Sequence, residues 1–151
     1  MKASDVMSTA IVTVQSNVPL REVNQLMHKY HLDYLLVVSG DGKLEGILTY
    51  SDLFREILPD YSEVMIDESY WLNPGSIEEK ISLVVNKPVS EVMTADVRTA
   101  GPDTPLIKVG TMMKTHNIQQ VPIVKESGQL AGVVTMSDIT WGFMMKQCKF
   151  F

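Results

Sequence analysis

The chain has 151 residues, 45% hydrophobic and 21% charged, with a formal net charge of −5. An acidic chain without clustered Lys and Arg lacks the basic surface that a nucleic-acid backbone requires, so no nucleic-acid partner is expected. Cys148 is the only cysteine, which excludes an intrachain disulfide. With no apolar leader and no run of membrane-spanning length, a cytoplasmic protein without a membrane segment is expected.

Ile11 to Val14 is a short β-branched run, and a segment led by Pro19 comes next with Leu20, Val23, Leu26, Met27 and Tyr30 at helical spacing. A proline near the first helical turn removes no hydrogen bond that the helix would have made. Tyr34 to Val38 is too continuously apolar for an exposed strand. Ser39-Gly40-Asp41-Gly42 then reads as a hairpin turn, since Gly and Asp accept the positive φ such turns need. Leu44 to Thr49 returns as a strand, and Ser51-Asp52 is predicted to open a second helix.

The central segment, residues 55–89, carries seven acids and three bases, hence −4 of the total −5. Asn73-Pro74-Gly75 reads as a turn. Ser76 with Glu79 predicts a capping box before Ile77, Ile81, Val84 and Val85, giving a helix over 76–85 with one apolar stripe. Upstream, Tyr61, Val64, Met65, Tyr70, Trp71 and Leu72 carry too much apolar surface for a flexible linker, so the segment is expected to pack on the rest.

The second half repeats the first. Shifted by 86 positions, Ser4–Phe54 lies on Ser90–Thr140 without a gap, and 15 of 51 positions are identical. Val97 to Ala100, Pro105 to Lys114, Gln120 to Val124, the turn Lys125-Glu126-Ser127-Gly128, Leu130 to Thr135 and a helix from Ser137 reproduce the same order. The prediction is an α/β (α+β) fold of two β-α-β-β-α repeats, related by a pseudo-twofold and sharing one core, because about 50 residues is marginal for a core alone. The domains are residues 1–58, a helical acidic insert over 59–89, and 90–151 with an apolar C-terminal helix.

The strongest identity closes each repeat: Gly46-Ile47-Leu48-Thr49-Tyr50-Ser51-Asp52 against Gly132-Val133-Val134-Thr135-Met136-Ser137-Asp138. Together with the opening Val-Met pairs, the Pro-Leu helix starts and His116-Asn117-Ile118-Gln119-Gln120-Val121-Pro122, this pattern resembles a tandem pair of CBS domains, the Bateman module. The likeness covers nearly everything except the insert and the last residues. It implies regulatory binding of an adenosine ligand, AMP, ADP or ATP, in clefts built by both repeats, with S-adenosylmethionine or a dinucleotide as an alternative ligand. A ligand-free dimerisation module is the competing reading.

An ionised Asp can accept hydrogen bonds from both hydroxyls of a ribose, and a helix start offers N–H groups to a phosphate. Carried over from the resemblance, Thr49, Ser51 and Asp52 share a cleft with Val97, Arg98, Gln119 and Gln120. Thr135, Ser137 and Asp138 share one with Ile11, Val12, Asp33 and Tyr34. The first is preferred, because Arg98 and the two amides favour phosphate and base edges, whereas Asp33 repels phosphates. Ser51-Asp52 and Ser137-Asp138 also suit helix capping, which leaves the Thr two residues earlier unexplained.

His28, His31 and Asp33 do not complete a metal-ligand set, and no triad or phosphate loop of the Walker type occurs, so neither a metal site nor an enzyme is expected. Met27, Met112 and Met113 read as core fillers. Trp141, Phe143, Met144, Met145, Cys148, Phe150 and Phe151 crowd the last eleven residues. Such surface marks an interface, and the resemblance implies a homodimer formed through the repeat helices and this segment, alongside an unknown regulated protein.

Overall fold

The computed structural model describes residues 1–66 and 74–147. Its elements are β1 (Thr13–Val14), α1 (Leu20–Lys29), β2 (Tyr34–Val38), β3 (Leu44–Thr49), α2 (Tyr50–Ile57), α3 (Tyr61–Ile66), α4 (Pro74–Val84), α5 (Leu106–His116), β4 (Gln120–Val124), β5 (Leu130–Thr135) and α6 (Met136–Gln147), with 3-10 turns at Ala3–Asp5 and Val89–Glu91. The mixed α/β repeat is therefore present twice. Tyr70, Trp71, Leu72, Cys148, Phe150 and Phe151 lie outside the described residues.

The chain divides into two compact units that do not coincide with the repeat boundaries: residues 13–39 with 45–96, and residues 1–12 with 40–44 and 97–151. Each unit holds most of one repeat and the opening segment of the other copy. In the first, β1 runs parallel to β2 through Thr13↔Leu36 and Val14↔Val37, and the sheet order is β1-β2-β3. Its buried side chains include Leu20, Val23 and Met27 of α1 and Leu35, Leu36 and Val37 of β2. The central strand is apolar on both faces because it is covered on both.

In the second unit β4 pairs antiparallel with β5, from Gln120↔Thr135 to Val124↔Leu130. Leu106, Val109 and Met113 of α5 occupy the positions of Leu20, Val23 and Met27, and pack with Ala3, Val121, Ile123 and Val134. The i, i+3, i+7 spacing puts one stripe of each helix on its sheet.

The opening segments bind the strand that ends each repeat. Ser8 exchanges both backbone hydrogen bonds with Val133, at 2.9 and 3.0 Å, and Thr94 does the same with Ile47, at 2.9 and 3.0 Å. Gly46 and Gly132 make room for this crossing. A Cβ on Gly132 would lie 2.8 Å from Met7 Sδ and 2.8 Å from the Ser8 carbonyl, and one on Gly46 would lie 2.5 Å from Met93 Sδ. The Val-Met and Gly signatures are thus two sides of one contact.

Several boundaries differ from those expected. The run Val97–Ala100 is not a strand: only Ala100 bridges Ile123, donating to the Pro122 carbonyl and accepting from Val124. The next rung of a parallel ladder needs an N–H at position 122, and proline has none. In the first copy the strand covers only Thr13–Val14 rather than Ile11–Val14.

Pro74 and Gly75 are helical rather than part of a turn, and Ser76 lies within the helix; Asn73 lies outside the described residues. Val84 is buried, and Lys87 pairs with Glu56 of α2. Tyr61 and Met65 of α3, two of the residues expected to pack, are instead exposed, as is Ile66.

Candidate functional site

The strand-to-helix corner of each repeat is built by a reciprocal cap. Thr49 is the N-cap of α2 in extended conformation, and Asp52 is its third helical residue. Asp52 Oδ2 accepts from the Thr49 N–H at 2.9 Å and from its hydroxyl at 3.1 Å, while Thr49 Oγ1 accepts from the Asp52 N–H at 3.4 Å. The second corner repeats this: Asp138 Oδ2 accepts from Thr135 N–H and Oγ1, both at 2.8 Å, and the Asp138 N–H donates to Thr135 Oγ1 at 3.2 Å.

The helices thus begin at Tyr50 and Met136, one residue earlier than expected, and the cap is the threonine rather than Ser51 or Ser137. The capping box accounts for the threonine two residues upstream, which the serine-based reading left unexplained. Ser51 and Ser137 are exposed at the second helical position. Asp52 is buried, at 7% exposure, and Asp138 is half-buried.

The carboxylate of Asp52 meets a second group that sequence reasoning missed. Arg55 Nη1 lies 3.5 Å from its Oδ1. The i, i+3 spacing of opposite charges on a helix was the available signal. At the equivalent place after Asp138 stands Trp141, which is exposed.

The residues expected beside these corners are divided between the two units. Gln120 faces Thr135 across the β4–β5 ladder, and the Gln119 carbonyl accepts from the Met136 N–H at 3.1 Å. Asp33 accepts likewise from the Tyr50 N–H at 3.4 Å, and Tyr34 begins β2. Val97, Arg98, Gln119 and Gln120 therefore belong to the unit of Thr135 and Asp138, as do Ile11 and Val12, whereas Asp33 and Tyr34 belong to the unit of Thr49 and Asp52. Arg98 is exposed on irregular backbone and Val97 is half-buried.

His28, His31 and His116 are exposed. Among the described residues no group of three His, Cys, Asp or Glu side chains is placed to hold a metal ion, and no helix is long and apolar enough to cross a membrane. No buried side-chain polar atom among them lacks a hydrogen-bond partner.

A duplicated α/β unit that ends in a capped Thr-x-x-Asp corner defines a tandem-repeat module. The chain belongs to the CBS domain family, whose model matches residues 3–59 and 89–142. It is 27% identical over 136 residues to the L-aspartate semialdehyde sulfurtransferase of Methanocaldococcus jannaschii, covering 90% of this chain but only 22% of that enzyme. An uncharacterized protein of the same organism is 28% identical over 150 residues, with 92% of this chain and 89% of that one covered. Among solved structures, the CBS domain pair of protein MJ0100, in complex with 5′-methylthioadenosine and S-adenosyl-L-methionine, superposes with a TM-score of 0.70 at 27% identity, covering 97% and 98% of the two chains.

Proposed function

We propose that the protein is a regulatory module that binds an adenosine-containing ligand, AMP, ADP or ATP, and in doing so shifts its own assembly or that of a partner. The observation that carries this reading is the relative that holds two adenosine ligands while matching this chain over nearly its whole length. The chemistry agrees. The Thr49–Asp52 and Thr135–Asp138 boxes each engage Oδ2, and Oδ1 is the oxygen a ribose hydroxyl would approach. Val97, Arg98, Gln119, Gln120, Ile11, Val12, Asp33 and Tyr34 are the proposed further contacts. No turnover belongs to this reading, and the sulfurtransferase activity of the longer relative is not carried over to a chain that spans about a fifth of it.

A second reading, a thioether or sulfonium adenosine ligand such as 5′-methylthioadenosine or S-adenosylmethionine, is favoured by the ligands of that same relative. A cytoplasmic homodimer is proposed as the working form. Tyr50 and Phe54 on α2, with Met136, Trp141 and Met144 on α6, supply exposed apolar surface for it.

A thermal-shift panel of AMP, ADP, ATP, S-adenosylmethionine and 5′-methylthioadenosine tests the reading. A ligand at a hundredfold excess over its Kd adds about 2.7 kcal/mol of stability. The expected result is a shift with at least one member, diminished in Asp52→Ala or Asp138→Ala. No shift with any of the five leaves the ligand-free dimerisation module as the function.

A further inference from the structure

The two corners share one capping geometry and differ in the residue one helical turn beyond the aspartate. Oδ2 of Asp52 is committed to Thr49, so a ribose must be read through Oδ1, the oxygen that faces Arg55 at 3.5 Å. That separation is longer than the roughly 2.7–2.9 Å of a tight charge-assisted hydrogen bond. The guanidinium is held near the carboxylate without saturating it, and its side chain is 73% exposed while that of Asp52 is 8% exposed. A long exposed arm anchored beside a buried acceptor is free to turn its five donors onto an anion that arrives with the sugar. In the other corner the same helical position is Trp141, which offers no cation.

We propose that Arg55 is a specificity-determining residue that makes the Thr49–Asp52 corner select 5′-phosphorylated adenosine. This rests on the adenosine-binding function proposed above. Asp52 selects the sugar and Arg55 the phosphate. The guanidinium also screens the buried carboxylate, so an anionic ligand approaches a pair rather than a bare negative charge.

Calorimetric titration of the full chain with AMP and with 5′-methylthioadenosine tests the assignment on wild type, Arg55→Ala and Arg55→Lys, with Asp52→Ala identifying the binding event of the first corner. At that corner Arg55→Ala is expected to weaken AMP about tenfold, equivalent to about 1.4 kcal/mol, and to change 5′-methylthioadenosine by less than about twofold. Arg55→Lys is expected to restore part of the AMP loss, because it keeps the charge but not the fork. Equal changes for both ligands, no change for either, or tighter AMP binding in Arg55→Ala overturns the proposal while leaving adenosine binding intact. If neither ligand binds wild type, the proposed function falls and this assignment with it. Arg55 is exposed at a helix surface, and unchanged circular dichroism of its variants separates a binding effect from a folding one.

Discussion

Met7 and Gly132 form one contact seen from two ends of the chain: a Cβ on the glycine would lie 2.8 Å from the methionine sulfur, with the Ser8 carbonyl at the same distance. Met93 and Gly46 make the equivalent contact in the other copy. A flexible thioether could withdraw, but a backbone carbonyl held by the Ser8–Val133 hydrogen bonds cannot do so without breaking them. Gly132→Ala is therefore expected to destabilise the protein by about 1–3 kcal/mol in chemical denaturation. Gly46→Ala should cost less, because its nearest carbonyl, that of Thr94, is at 3.0 Å. Equal stability of Gly132→Ala and wild type would show that the crossing tolerates a methyl group.

Capping and ligand binding are separable at the threonines. Thr49→Ser keeps the hydroxyl that accepts from Asp52 N–H, so both stability and ligand response should persist. Thr49→Ala removes the cap and is expected to cost about 0.5–2 kcal/mol. Thermal melts without ligand read this directly. A Thr49→Ala variant that melts with wild type would mean that the Asp52 carboxylate alone holds the helix start.

His31 adopts φ of 53°, as does its counterpart Asn117 at 52°, each just past the end of a helix. A left-handed residue with a Cβ costs about 1–2 kcal/mol, and asparagine tolerates the conformation better than most side chains. His31→Gly is expected to raise stability by up to about 1 kcal/mol and His31→Asn by less. A lower Tm for His31→Gly would count against the left-handed assignment.

The Lys87–Glu56 pair ties the segment after α4 to α2. The hydrogen bond from Lys87 to Glu56 raises the lysine pKa above its ordinary 10.5, despite the opposing effect of burial. A raised folded-state pKa stabilises the protein at every pH below the unfolded value, and that contribution is lost as pH rises through the folded one. The pair should therefore contribute evenly through neutral pH and fade above about 10.5. Glu56→Gln should flatten that alkaline decline in pH-dependent denaturation. An unchanged decline would assign it to other groups.

If α2 and α6 form the homodimer surface, Phe54→Glu and Trp141→Glu place charge where apolar contact is needed. The expected outcome is a monomer in light scattering with an unchanged far-UV spectrum. A dimer that survives both substitutions would move the interface elsewhere, with the exposed Tyr61, Met65 and Ile66 of α3 as the next surface to test.

Much of the fold was legible in the chain because the signals were local. β2 and β4 were bounded correctly by apolar runs, and α1 and α5 were placed by helical spacing to within one or two residues of their ends. The strand ends Thr49 and Thr135 were read correctly as well. The helix starts were off by one residue because serine and threonine compete for the cap, and only backbone conformation decides which one wins. The absence of a strand at Val97–Ala100 depended on Pro122, more than 20 residues away, whose missing N–H matters only once the two segments are parallel neighbours.

By itself, then, the sequence determined that the protein is a duplicated α/β chain, which residues are repeated, and where a carboxylate and a threonine recur together. Repetition and hydrophobic spacing are properties of residue order. Only the tertiary structure decided that each opening segment pairs with the closing strand of the other copy, that the threonine is the helix cap, and that Arg55 faces Asp52 while Trp141 holds the matching place beyond Asp138. Those relationships rest on steric exclusion at a glycine and on which atoms come within hydrogen-bonding reach, and neither is fixed until the backbone closes on itself.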